Sequence, residues 1–174
     1  DVRQFNLMFK TFMGALEDQA SQIYMRPETA QGIYVNFLHV KDSMRMKMPF
    51  GVAQIGKAFR NEITPGNFIF RMREFEQMEM QYFVKADDTK KVFDDWQKLR
   101  MEWYLGLGID KNNIRFRDHA KDELAHYAKQ AIDIEYKFEF TPNEEFKELE
   151  GIHHRGDWDL SRHQEFSGQK MSVS

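Results

Sequence analysis

The chain has 174 residues, with 25 lysines and arginines against 28 aspartates and glutamates, a formal charge of −3. That length can bury a real core, but the slightly acidic balance excludes a protein that holds nucleic acid by bulk charge, so any RNA contact must be local. With no cysteine, disulfides and thiolate zinc sites are excluded, and no signal-like or long apolar run suggests a membrane partner.

Residues 4–13, with Phe5, Leu7, Met8, Phe9 and Phe12, read as an extended segment entering a sheet. Residues 24–26 read as a short strand. Pro27 suits a helix start, where its missing N–H costs little, and Ile33, Phe37 and Val40 give that helix a buried stripe. Residues 41–47 form a polar, basic connector. Residues 48–63 and 68–84 are the arms of a hairpin, with turn chemistry at Thr64, Pro65, Gly66 and Asn67. Asp87 or Asp88 caps a long helix. Its stripe of Val92, Trp96, Leu99 and Trp103 packs on the sheet, and Gly106 and Gly108 end it. Residues 114–117 predict a strand. Asp118 caps a second helix reaching Ile132, with Leu124, Tyr127, Ala128 and Ala131 on one side. Residues 134–140 alternate strictly and predict a strand. Residues 142–147 are a charged loop, and 148–160 an irregular polar stretch. Helices and strands interleave around a central hairpin. The predicted fold is therefore α/β (α+β), a mostly antiparallel sheet flanked by helices.

The hairpin carries unusual residues. Side chains alternate along a strand, so Arg71, Arg73, Phe75, Gln77 and Glu79 share one face of the second arm, and Arg60 and Glu62 share a face of the first. Such a face can cradle a charged ligand with a flat ring, a nucleotide first of all. It can equally be a solvated, salt-bridged surface. The opposite face holds Phe70, Met72, Met78, Met80 and Tyr82, which suits a core, together with Glu74 and Glu76. Phe75 on its own reads as core packing more readily than as a ligand contact.

Phe59-Arg60-Asn61-Glu62, followed by a loop and Arg71-x-x-x-Phe75-x-x-x-Glu79, resembles motif 2 of the class II aminoacyl-tRNA synthetases. The blocks Arg26-Pro27-Glu28-Thr29-Ala30-Gln31-Gly32, Gln54-Ile55-Gly56-Lys57-Ala58 and Glu148-Leu149-Glu150-Gly151-Ile152, with Arg155 and Asp159-Leu160 after them, are similar to the homodimeric glycyl-tRNA synthetases. The resemblance covers nearly the whole chain in order and spacing. It implies a partial class II catalytic domain over residues 1–174, with motif 2 at about 55–83. Motif 1, motif 3 and an anticodon-binding domain would lie outside it, so the chain reads as an internal fragment with little activity alone.

The resemblance further implies ATP-dependent ligation of glycine to its tRNA through a glycyl-adenylate, in a homodimeric cytoplasmic protein. ATP contacts would come from Arg60, Asn61, Glu62, Phe70, Arg71, Phe75, Glu148 and Leu149. Arg60 would be the catalytic residue, bridging α-phosphate and carboxylate. A guanidinium engages two oxygens at once, which lysine cannot reproduce. Glycine would be held by Glu28, Phe75, Gln77, Glu79 and Arg155, and the tRNA acceptor end would meet Thr64, Pro65, Gly66 and Asn67. Glu148 is the candidate carboxylate for the Mg2+ that accompanies ATP. A zinc site at the adjacent His153 and His154 is not expected, since neighbouring histidines seldom converge on one ion. The competing functional reading is a non-catalytic class II synthetase-like binding or dimerisation module.

Overall fold

The computed structural model describes residues 6–140 and 145–171. Positions 4 and 5 of the predicted entry segment and 142–144 of the predicted charged loop lie outside the described residues. The chain divides into two compact units, one up to Phe83 and one from Val84 onward.

In the first unit β1 (Lys10–Phe12) pairs antiparallel with β2 (Gln22–Tyr24), a small sheet of its own. The helix predicted from Pro27 begins three residues later, as α1 (Ala30–Val35), and continues as α2 (Phe37–Ser43), which takes in the start of the predicted connector. The break falls at Asn36, whose side-chain amide donates to the Gly32 carbonyl at 2.7 Å. Such local bonding competes with the helical ladder. Ile33 and Phe37 are buried as expected, joined by Ala30 and Tyr34. Phe37, Phe50 and Phe83 form the centre of this core, with ring centroids 4.6 to 5.7 Å apart. Burying each such side chain contributes about 1.5–3 kcal/mol.

The hairpin is present with shorter arms than predicted: β3 (Phe50–Phe59) pairs antiparallel with β4 (Glu74–Phe83), from Phe50 opposite Phe83 to Phe59 opposite Glu74. Arg60 continues the ladder by one bond, its N–H donating to the Arg73 carbonyl at 2.9 Å. Residues 61–72 form a long connection, closed near its tip where Gly66 and Arg71 exchange both backbone bonds. Asn67 and Phe68 there adopt φ of 56° and 55°.

The mixed character of both faces predicts packing on both sides of the hairpin, yet one face is left exposed. Met78, Met80 and Tyr82, expected to suit a core, are exposed, as is Ile55 opposite Met78 (Ile55 72%, Met78 70% exposed). The polar face is the inward one. Alternation separates two faces, but only a packing partner decides which is covered. Here α1 covers the polar face, because Thr29 and Tyr34 bring hydroxyls to it.

In the second unit α3 (Thr89–Gly106) follows Asp88, which stands at the N-cap without a side-chain cap bond. Gly108, at φ 91°, lies just past its end. Its inward stripe is rotated from the predicted one. Phe93 and Tyr104 are buried, while Leu99 and Trp103 are exposed. Tyr104 packs with Ile114 and Ile134, and Met101, Ile109, Tyr136 and Ile152 surround them. Three antiparallel strands follow: β5 (Ile114–Asp118), β6 (Gln130–Lys137) and β7 (Phe146–His154), with β6 central. The predicted helix from Asp118 to Ile132 does not form. Asp118 is the last residue of β5, and 119–129 is a turn-rich segment. It is held to the sheet by the His119 ring on Asp133 at 2.7 Å and by His119 N–H on the Ala131 carbonyl at 3.1 Å. The predicted strand at 134–140 sits several residues earlier, and its middle is buried on both faces, as a central strand requires. The stretch 148–160 is regular: β7 occupies most of it, and α4 (Trp158–Ser167) begins before its end.

Candidate active site

Arg60 leaves the end of β3 and turns back over the polar face. Its guanidinium carbon lies 5.3 Å from the centroid of the Phe75 ring, and its Nε donates to the Pro27 carbonyl at 3.1 Å. Among the described residues no carboxylate forms an ion pair with it. A half-buried cation fixed by a ring and a carbonyl retains its full charge for an anion. The face beneath is kept low at Gly56. A Cβ there would fall 2.7 Å from an Nη of Arg26, whose Nε donates to the Lys57 carbonyl at 2.6 Å.

Gln77 and Glu79 follow Phe75 on this face, half-buried and bonded to the start of α1. The Thr29 N–H donates to Oε1 of Gln77 at 3.0 Å, so Gln77 presents its NH2 elsewhere. The Thr29 hydroxyl lies 2.9 Å from one Glu79 oxygen, and Gln81 donates to the other at 2.6 Å. Glu28, one residue before Thr29, accepts from Gln31 at 3.3 Å.

Glu62 and Arg71 meet across the connection at 3.6 Å, and the Arg73 Nε donates to the Glu62 carbonyl at 3.0 Å. This pair is loose and partly solvated, so it contributes little stability. Asn61 ties the connection to the N-terminal segment through the carbonyls of Leu7 (2.8 Å) and Asn6 (3.2 Å). Phe70 is half-buried, whereas Thr64, Pro65, Gly66 and Asn67 are exposed.

The second unit holds Glu148, Leu149 and Arg155. The pairing of β6 with β7 skips Leu149: Ile134 faces Glu150, and Glu135 faces Glu148. This bulge turns Glu148 and Glu150, two apart in sequence, to opposite faces. Glu150 joins the α3 side, where Arg100 donates three bonds at 2.8 to 3.0 Å and the Tyr104 hydroxyl a fourth at 2.7 Å. Burial first, and then this carboxylate, push the Tyr104 phenol up to about 12. Glu148 shares the exposed end of Glu135's face, which also carries the ion pairs of Arg115 and Arg117. Arg155 grips Asp159 through two bonds at 2.9 and 3.1 Å and lies 3.8 Å from the Tyr127 ring. His153 and His154, adjacent on β7, point to opposite faces. His154 accepts the Gly156 N–H on Nδ1 at 3.1 Å, and burial together with Lys129 holds its pKa below the usual histidine value.

Sequence reasoning missed Thr29, Tyr34 and Gln81 around Glu79, and Arg100 and Tyr104 around Glu150. Thr29 sits inside a block already singled out. Gln81 follows by extending the period of two from Gln77 and Glu79. Nothing local signals the others, because their partners lie 46 to 50 positions away.

Residues 9–170 match the family described as the tRNA synthetase class II core domain (G, H, P, S and T). The chain is 57% identical over 169 residues to a Glycine--tRNA ligase of Geobacillus kaustophilus, covering 97% of this chain and 36% of that protein. It is 58% identical over 170 residues to one of Borrelia hermsii and 58% over 171 residues to one of Treponema denticola, each time covering 37% of the relative. The chain therefore spans little more than a third of the length of the curated relatives it matches.

Proposed function

The chain belongs to the tRNA synthetase class II core domain family, and from that premise we propose that it is the adenylate-forming part of a longer enzyme that ligates glycine to its tRNA. In the first step a glycine carboxylate oxygen attacks the α-phosphorus of ATP, and the bond to pyrophosphate breaks. In the second, the 3′-terminal ribose hydroxyl of the tRNA attacks the carbonyl, and AMP leaves. The carboxylate is already a nucleophile, so the protein's task is to hold two anions together and stabilise the charge developing on phosphorus.

Arg60 is suited to that task. Its planar fork spans a carboxylate and a phosphate oxygen, and Phe75 beneath it offers a face to adenine. Glu62 accepts from the adenine amino group, Asn61 and Phe70 line the nucleotide, and Arg71 exchanges its loose contact with Glu62 for the outer phosphates. Glu28 and Glu79 are assigned to the glycine ammonium, with Gln77 on the same strand face as Glu79, and Arg155 of the second unit is assigned to the carbonyl oxygen. The Thr64–Asn67 segment, which leads into the turn, offers hydrogen bonding and shape to the tRNA end. Mg2+ is a hard cation that binds through one or two carboxylates, with phosphates and water completing its shell. The carboxylate assigned to it is Glu148 beside Leu149, which is exposed. Bound there, the ion would offset phosphate charge. A homodimeric, cytoplasmic protein is in keeping with this reading, and among the described residues no helix is long and apolar enough to cross a membrane.

The observation that carries the proposal is the position of the Arg60 guanidinium over Phe75, with no carboxylate paired to it among the described residues. Calorimetry of the full-length protein with a non-hydrolysable glycyl-adenylate analogue tests it. Tight binding is expected, weakened by about 2–4 kcal/mol in Arg60→Ala, the range for removing a preorganised charged donor. No binding by the unaltered protein would refute it and favour a non-catalytic module.

A further inference from the structure

Thr29 stands at the N-cap of α1, where a threonine hydroxyl ordinarily accepts from the helix's own N–H groups. It makes no such bond here. Only 1% of the residue is exposed, and its hydroxyl reaches across to β4, 2.9 Å from Glu79 Oε2 and 3.3 Å from Gln77 Oε1. One hydroxyl has one proton. The shorter contact and the carboxylate acceptor assign it to Glu79. The other Glu79 oxygen accepts from Gln81 Nε2 at 2.6 Å, and Gln81 Oε1 accepts from the buried Tyr34 hydroxyl at 2.7 Å. Both Glu79 oxygens are thus fixed by groups that α1 brings or orients. About two of the roughly four lone-pair directions of the carboxylate are taken, and among the described residues no other donor reaches it.

We infer that Thr29, Gln81 and Tyr34 are positioning residues that lock the Glu79 carboxylate in the orientation that receives the substrate ammonium. The inference rests on the glycine-site reading given above. A helix cap is given up to build this relay, and its donors hold the carboxylate in one rotamer while leaving acceptor capacity for a cation. Without them Glu79 gains rotamer freedom, which must be lost again when an ammonium binds. Gln77 is oriented by the Thr29 N–H, a backbone group, so substituting the Thr29 side chain leaves it in place.

ATP–pyrophosphate exchange by the full-length protein, with KM for glycine and for ATP measured separately, tests the relay. Thr29→Val, close in shape to threonine, should raise KM for glycine about tenfold, the scale of one lost hydrogen bond to a charged group, with KM for ATP nearly unchanged. Thr29→Ser restores the hydroxyl and should recover most of that loss. Tyr34→Phe, one bond further from Glu79, should give a rise of about threefold by the same arithmetic, and it keeps the test alive should Thr29→Val fail to fold. A uniform effect on both KM values, or none on glycine, or no rescue by serine, would reduce the relay to a means of docking α1. Glu79→Gln separates the two ideas. If it leaves KM for glycine unchanged, the glycine-site reading itself fails. If it raises that KM while the relay variants do not, only the present inference falls.

Discussion

Replacing Asp159 by asparagine should destabilise the second unit by about 3 kcal/mol. The Arg155 and Asp159 side chains are 11% and 4% exposed, and two bonds of 2.9 and 3.1 Å join them. Breaking a buried pair by removing one charge costs about 3–5 kcal/mol, because the other charge loses its nearest compensating group. Asparagine keeps one acceptor oxygen, but its NH2 confronts a guanidinium N–H with another donor. The Tyr127 ring, 3.8 Å from the guanidinium carbon, stays in place, so the guanidinium keeps one favourable partner and the cost falls toward the lower part of that range. Asp159 also lies in the first turn of α4, where losing a negative charge costs about 0.3–1 kcal/mol. The sum falls near the lower end of the range. In urea unfolding followed by the fluorescence of neighbouring Trp158, the midpoint should fall by about 1–3 M at unchanged slope. The paired change Arg155→Met with Asp159→Leu should recover most of it, since an apolar pair of similar volume avoids the desolvation cost. A midpoint shift below about 0.3 M in Asp159→Asn, at the same slope, would refute the argument that this pair is effectively buried.

Two further outcomes concern pH. His154 titrates below 6.5 when folded, held down by burial first and Lys129 second, and near 6.5 when unfolded. Between these values the unfolded chain binds more protons, so stability should fall as pH drops below about 6.5 and level off beneath the folded pKa. His154→Gln should flatten that slope in acid-range denaturation curves, and an unchanged slope would contradict it. Tyr104, pushed up from 10.0 to about 12, contributes stability that is intact below pH 10 and lost as pH rises through about 12. Ultraviolet titration should show a late-ionising phenol component that is lost in Tyr104→Phe.

The hairpin and the sharing of one face by Phe75, Gln77 and Glu79 were legible because a strand's period of two is a local property, whereas the turn closes at Asn67–Phe70 and not over Thr64–Asn67. Also legible were α3 and β5. The helix expected between Asp118 and Ile132 was misjudged for the opposite reason. Its apolar residues fit a helical stripe, but His119 pairs with Asp133 and Ala131 joins a central strand, and such partners leave no mark on nearby sequence. The stripe on α3 is turned because Arg100 and Tyr104 bond Glu150, so a polar group sets which side of the helix meets the sheet.

The amino-acid order alone determined the family-like blocks around Arg60, Phe75 and Glu79 and the antiparallel character of the fold. Only the tertiary structure decided that the polar side of the hairpin is the covered one, that Thr29 gives up its helix cap for Glu79, and that a bulge at Leu149 parts Glu148 from Glu150. Alternation along a chain distinguishes two sides of a strand. Which side meets another element depends on hydrogen-bonding and packing partners dozens of residues away.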